Sequence, residues 1–314
     1  MLTLLLTARG DGCSDYLTPH FSGEVVRMDL DFLHVDRFRW APDVLEYRDR
    51  TIPWSDITAV YWRKPAEPIR HDMSQLEGFE LRQRLHVFRS ISAVARHLGI
   101  WQLVDPLHEY KYPKPLQLRC AVERFALPSW EIAVGRGASI ESPLVSKALA
   151  PVPVQGERRM VTAAVPEPAN LDKDFTWFLQ SSIEAPLDAT VVYCLGKLWG
   201  FSLERPQGRN WIDWRLVMAN HRQGAWTPIE VPKPVCVQIR DFMADLGLHY
   251  GRLDFLVDHH GKWWFLEVNP NGQFGWLDPT NQRELCSSIA RGAQTPGILS
   301  PMVPLEGAWF LGQS

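Results

Sequence analysis

Between Tyr250 and Asn269 two alternating runs flank a short polar turn, and this pattern limits the fold more than any other stretch of the chain. In Tyr250 to Asp258, Arg252 and Asp254 share one face while Leu253 and Phe255 share the other, the period of two that defines a strand. After His259-His260-Gly261, the residues Phe265, Glu267 and Asn269 alternate against Trp264, Leu266 and Val268. A hairpin is the expected result. Pairing about the turn puts Asp254 nearly opposite Phe265 and diagonal to Glu267, within the roughly 5 to 8 Å that cross-strand neighbours span. Two carboxylates and an amide then gather on one patch of otherwise aromatic and aliphatic strands, where unpartnered polar groups are costly. The competing reading is a solvated polar face on an edge hairpin.

That donor set suits one kind of guest. Mg²⁺ is hard and octahedral, takes one or two carboxylates, and completes its shell with phosphate oxygens and water. Asp254, Glu267 and Asn269 are therefore the expected metal ligands, and two ions bridged by Glu267 would neutralise a triphosphate during phosphoryl transfer. Pro270 to Trp276 follows, with two glycines that allow close backbone approach and two amides, Asn271 and Gln273, able to contact phosphate or a carboxyl acceptor.

The remaining sequence frames this hairpin. With 314 residues and 46% hydrophobic content the chain can bury a sizeable core, in two domains or three small ones. A formal charge of -3 argues against a broad nucleic-acid or anionic-membrane surface. The cysteines Cys13, Cys120, Cys194, Cys236 and Cys286 are odd in number and form no C-x-x-C pair. They suggest neither a disulfide framework nor a zinc site, and a reducing cytoplasm fits best. No run approaches the roughly 18 to 20 apolar residues of a membrane span, and Met1 to Ala8, apolar without a basic leader, reads as a buried first strand. Fourteen tryptophans point to aromatic packing or an aromatic-lined groove.

Strand-like runs at Leu2 to Ala8, Glu24 to Leu30 and Ile57 to Arg63 precede an amphipathic helix from Met73 to Gly99, which makes a small α/β domain. Three prolines in Asp105 to Pro115 mark the main boundary. Beyond it come a helix from about Pro115 to Phe125 and strands at Trp130 to Val134 and Pro143 to Leu149. Further strands follow at Trp177 to Ser181, Ala189 to Leu195 and Leu198 to Glu204, then a helix over Lys233 to Leu246.

The C-terminal residues Leu253-Asp254-Phe255 and Phe265 to Trp276 resemble the signature of the ATP-grasp ligases that modify ribosomal peptides, the graspetide (microviridin-type) synthetases. Upstream, Tyr61-Trp62-Arg63-Lys64-Pro65 resembles that family's aromatic-Arg-Arg-Pro element. Lys114-Pro115-Leu116-Gln117-Leu118, with Leu127-Pro128, resembles the start of its ATP-binding domain. The resemblance implies an ATP-grasp fold in three parts. These are a small N-terminal α/β domain over residues 1–105, a central subdomain over 106–182, and a C-terminal antiparallel-sheet subdomain over 183–314 that clamps ATP with it.

It also implies roles. Lys114 and Lys147 fit the two lysines aimed at the nucleotide's phosphates, and Gln180, Ser181 and Ile183 fall at the adenine-binding hinge. Asp213 and Arg215, in Ile212-Asp213-Trp214-Arg215, resemble the Asp-aromatic-Arg element that handles the acceptor peptide, where an Arg fork matches a substrate carboxylate. Relatives carry an arginine near the Thr190 position to steady the transferring phosphate. Thr190 cannot do this, which leaves Arg252 or Arg205 to compensate.

The implied chemistry is ATP- and Mg²⁺-dependent ligation. An Asp or Glu side chain of a ribosomal precursor peptide, leader plus core, takes the γ-phosphoryl group as an acyl phosphate. A Ser, Thr or Lys side chain then closes an ester or amide macrocycle. Two alternatives stay open: an amide ligase acting on free amino acids, and a nucleotide- or peptide-binding homologue without turnover. The oligomeric state, a homodimer included, is also open.

Overall fold

The computed structural model describes residues 1–65, 73–135, 137–141, 143–149, 153–154, 158–159, 162–165, 171–172, 174–205 and 226–295. Its first strand, β1 (Leu2–Thr7), is buried along its whole length, Thr3 and Thr7 included, as befits the centre of a parallel sheet. Helix α1 (Gly12–Leu17) follows, capped by the Asp11 side chain, which accepts the Ser14 N–H. β1 lies between β2 (Glu24–Asp29) and, further along, β6 (Ile57–Trp62), both parallel to it. An antiparallel meander of β3 (Phe38–Ala41), β4 (Val44–Tyr47) and β5 (Arg50–Pro53) intervenes. Its strands are four residues each, too short for the sequence pattern to have announced them.

Helix α2 (Gln75–His97) opens on a Ser74/Glu77 capping box and stops at Gly99, whose φ of +72° is the left-handed turn glycine adopts at no steric cost. It packs Phe88, Ile91 and Ala95 into the core around the parallel sheet. A single turn, α3 (His108–Lys111), leads into α4 (Lys114–Ala121), with Pro115 in its first turn.

The middle of the chain is antiparallel. β7 (Trp130–Ala133), β8 (Leu144–Lys147), a two-residue pair β9 (Pro153–Val154) and β10 (Arg158–Arg159), β11 (Ala163–Val165) and β12 (Trp177–Ser181) come first. Four of these form a sheet in the order β11-β8-β12-β7. Then β13 (Leu187–Cys194), β14 (Lys197–Glu204), β15 (Thr227–Ile229), helix α5 (Lys233–Asp245), β16 (Tyr250–Val257) and β17 (Trp263–Asn269) build a five-stranded sheet in the order β15-β14-β13-β16-β17. Helix α6 (Leu285–Gln294), absent from the sequence reading, buries Leu285, Ile289, Ala290 and Ala293 against the parallel sheet's core. Among the described residues, no helix is long and apolar enough to cross a membrane.

The five-stranded sheet has two different faces. On one, Val191, Leu253, Phe255, Phe265 and Val268 pack with α5 and α4 residues such as Ile239, Phe242 and Leu118. On the other, Val192, Cys194 and Tyr250 join the core of the parallel sheet. Farther along that second face the apolar contact gives way to Thr190, Arg252, Asp254, Glu267 and Asn269, and there the site sits.

Candidate active site

The hairpin forms where the alternation places it, but its register differs from expectation. Asp254 lies directly opposite Glu267 and Arg252 opposite Asn269, while Phe255, the next residue, faces Phe265. A β-bulge at Leu266 absorbs the extra residue. The expectation that Phe265 faces Asp254 and shares a face with Glu267 is therefore wrong. Phe265 is fully buried on the opposite side, stacked on Phe125 at 5.1 Å, because the bulge reverses the alternation between Phe265 and Glu267. The bulge brings the two carboxylates into direct register.

Both carboxylate oxygens of Asp254 are held. The Thr190 hydroxyl, from the neighbouring strand β13, donates to Asp254 Oδ1 at 2.8 Å, and Arg252 Nη2 donates to Asp254 Oδ2 at 3.0 Å. Arg252 Nη1 reaches the Gln273 carbonyl at 3.2 Å, and the guanidinium lies 6.0 Å over the Trp276 ring. The loop comes so close that a Cβ on Gly272 would meet Arg252 Cβ at 2.4 Å, so a glycine is required there. Asn269 Oδ1 accepts the Asn271 backbone N–H at 3.0 Å. Arg205, the other substitute considered for the missing arginine, pairs instead with Asp188 at 3.6 Å. Asp188 stands opposite Leu256, two residues along β13 from Thr190.

Lys114, at the first position of α4, reaches Glu267 Oε2 at 3.0 Å and also donates to the Ala148 carbonyl at 3.0 Å. It thus ties the end of β8 to β17. Gln117, one turn on, is buried, and its Oε1 accepts the Val268 N–H at 2.9 Å; the Ala126 carbonyl accepts the Phe265 N–H. These contacts cover the outer edge of β17, which would otherwise present unpaired donors. Burial pushes the Glu267 carboxyl up, but the charges of Lys114 and Lys147, the Lys114 hydrogen bond and Arg252 outweigh it and hold the group below the ordinary range. Lys147, the last residue of β8 in the four-stranded sheet, thus lies near enough to Glu267 for its charge to act on it. Glu267 stays ionised, and its side chain is 32% exposed, so it is both charged and reachable.

Among the described residues no three His, Cys, Asp or Glu side chains converge. Two facing carboxylates with a neighbouring amide are a poor zinc set and a good Mg²⁺ set.

In β12, Gln180 stands opposite Val145, and Lys147 opposite Phe178, so all four share one face of their sheet. Gln180 is 1% exposed, and neither end of its amide has a hydrogen-bond partner among the described residues. Such an amide costs about 1–3 kcal/mol unless something supplies a donor and an acceptor, and a purine edge would do so. The Ser181 N–H is already given to the Ser129 carbonyl and the Ser182 N–H to the Pro143 carbonyl. Ile183, half-buried, follows just past the strand. Asp213 and Arg215 lie outside the described residues.

Three residues play parts the sequence did not indicate. Gln117 and Arg63 stood in the motifs with no role attached, and Asn271, expected to contact a ligand, is fully buried and bonded to Arg63, so it faces the protein. The Tyr61 to Pro65 motif pointed at Arg63 without indicating its partner.

A lysine-bearing antiparallel sheet set against a larger antiparallel sheet with paired carboxylates, behind a small parallel-sheet unit, defines the ATP-grasp fold. Three solved structures show the same architecture. The first is a RiPP-associated ATP-grasp ligase from Chryseobacterium gregarium, in complex with ADP and a leader and core peptide. It is 18% identical, with a TM-score of 0.77 over 93% of this chain and 96% of that one. The macrocyclase MdnC of Microcystis aeruginosa, bound with precursor peptide MdnA, is 18% identical, with a TM-score of 0.74 over 93% and 99%. The ATP-grasp ligase PsnB, with a variant of its minimal precursor, Mg and ADP, is 13% identical, with a TM-score of 0.72 over 93% and 97%. At these identities the likeness establishes the fold. No protein-family model matches the sequence, and no curated protein matches it.

Proposed function

We propose that the protein is an ATP- and Mg²⁺-dependent ligase of the graspetide-synthetase type. It activates Asp or Glu side chains of a ribosomal precursor peptide and closes ester or amide macrocycles with Ser, Thr or Lys. One observation carries this reading: Asp254 and Glu267 face each other in register beside Asn269, with Arg252 paired to Asp254 and the charges of Lys114 and Lys147 acting on Glu267. The neighbours crystallised with peptides support a leader-plus-core substrate for this chain too. Free cysteines support a cytoplasmic setting.

Asp254, Glu267 and Asn269 would hold Mg²⁺, which supplies charge neutralisation for phosphoryl transfer. Lys114 and Lys147 bind phosphate oxygens as compact charges, and Gln180, Ser181 and Ile183 frame the base. Arg252, already anchored at Asp254 and Gln273, takes the phosphate-steadying role that Thr190 cannot fill, while Thr190 orients Asp254. Asp213 and Arg215 are assigned to the acceptor carboxylate. The substrate carboxylate attacks the γ-phosphorus and releases ADP; the hydroxyl or amine then attacks the acyl carbon and expels phosphate. The protein's share is positioning and charge. The division into the three domains 1–105, 106–182 and 183–314 is part of this proposal, supported by the sheets' strands each falling within one of these ranges.

Incubation with ATP, Mg²⁺ and the peptide encoded beside this protein's gene is expected to give ADP and the loss of one water per bond. No mass loss with that peptide counts against the reading. ATP hydrolysis stimulated by free amino acids alone would favour an amide ligase, and ATP binding without ADP a non-catalytic homologue.

A further inference from the structure

The loop after β17 is gripped by the far end of the chain. Arg63, at the end of β6, is 0% exposed, and its Nη1 donates to both the main-chain carbonyl and the side-chain Oδ1 of Asn271, each at 2.7 Å. Asn271, also fully buried, gives its backbone N–H to Asn269 Oδ1 at 3.0 Å. Asp11 balances the guanidinium from 3.4 Å, and the Phe274 ring lies 5.4 Å from it. On either side of this contact Tyr250 donates its hydroxyl to the Gly272 carbonyl at 2.7 Å, and Cys13 Sγ accepts the Phe274 and Gly275 N–H groups at 3.3 Å.

Packing alone does not call for this arrangement. A buried guanidinium is costly to desolvate, and an apolar side chain of like volume would join the two units at least as well. Here Nη2 has no partner among the described residues, so the group is not chosen to satisfy itself. What it does provide is direction: it fixes both the carbonyl and the amide of Asn271, and so the aim of the N–H that orients Asn269.

We propose that Arg63 is a positioning residue for the metal site, acting through Asn271 to set the Asn269 carboxamide. This rests on the metal role assigned to Asn269 above. Because outer partners orient metal ligands, their loss weakens metal binding without removing a ligand.

The test uses the full chain with Mn²⁺ and a non-hydrolysable ATP analogue, with bound Mn²⁺ followed by electron paramagnetic resonance. Arg63→Met and Asn271→Ala are each expected to weaken Mn²⁺ binding by about tenfold. In turnover assays the Mg²⁺ concentration for half-maximal rate rises by the same factor, with the KM for peptide unchanged. If Arg63→Met does not fold, Asn271→Ala decides, since it leaves the main-chain carbonyl bond in place. Variants that melt earlier yet bind Mn²⁺ as the wild type does would overturn the positioning role and leave the metal site intact. A wild type that binds no Mn²⁺ overturns the metal site itself and this role with it.

Discussion

Replacing Glu267 with Gln separates metal chemistry from nucleotide binding, because it keeps the side chain's shape and removes one charge. Its partner Lys114 Nζ is 3.0 Å away. At an effective dielectric of about 20, a pair at that distance attracts with roughly 5 kcal/mol before desolvation. The two side chains are 27% and 32% exposed, so the net contribution is about 1 kcal/mol or less. Stability should therefore fall only slightly. The local charge balance changes more: Lys114, Lys147 and Arg252 would face the single carboxylate Asp254 in place of two. Phosphate binding through the lysines is retained, while a hard cation loses an anionic ligand. The expected result is ATP binding in the absence of metal at wild-type strength by calorimetry. Mg²⁺-dependent ADP formation falls at least about 100-fold, or ~2.7 kcal/mol of transition-state stabilisation. Unchanged ADP formation would refute the site assignment, and loss of metal-free ATP binding would refute the charge argument.

Arg252→Met should lower ADP formation by about 10² to 10³, the usual cost of one preorganised donor, in single-turnover assays; a loss of less than tenfold assigns Arg252 to structure alone. Gln180→Met removes an unpartnered buried amide, so the ligand-free protein should gain about 1 kcal/mol in denaturant titrations, while ATP binds more weakly. Equal ATP affinity would show that the amide does not meet the base. Burial, the largest influence, lowers the His108 pKa to about 4, with Asp105 opposing and Lys111, His249 and Arg96 adding to the shift. The folded form therefore resists a proton that the unfolded chain binds near pH 6.5. The stability it contributes is complete above that value and is lost as pH falls toward 4. Urea midpoints should drop between pH 6.5 and 5 in the wild type and stay flatter in His108→Gln; identical slopes would refute this.

Much of the site was readable because side-chain period is a local property. The alternation of Arg252 with Asp254, and the unusual polar residues at Glu267 and Asn269, specify a strand with one polar face whatever surrounds it. The helix after the boundary was announced by Pro115, while Lys114 came only from the family resemblance; the structure starts the helix one residue earlier and sets Lys114 in its first turn. The end of α2 followed a glycine signal at Gly99. The short meander of β3 to β5 escaped because four-residue strands carry too little periodicity to rise above their neighbours; helix α6 does place Leu285, Cys286, Ile289, Ala290 and Ala293 at helical spacing, a signal that was present and went unused.

Register and long-range contact were not readable in this way. Alternation groups residues by face only until a bulge interrupts it, as between Phe265 and Glu267, and it does not say which residue on the next strand stands opposite. The bulge at Leu266 therefore turned a diagonal pair of carboxylates into a facing one. Nor can a local pattern reveal that Arg63 meets Asn271, 208 residues later, or that Gln117 closes the edge of β17. The sequence by itself determined the chemical kinds present at the site, because residue type and period are written locally. The tertiary structure alone decided their distances and partners, because those depend on how separate sheets pack and how one bulge shifts the pairing.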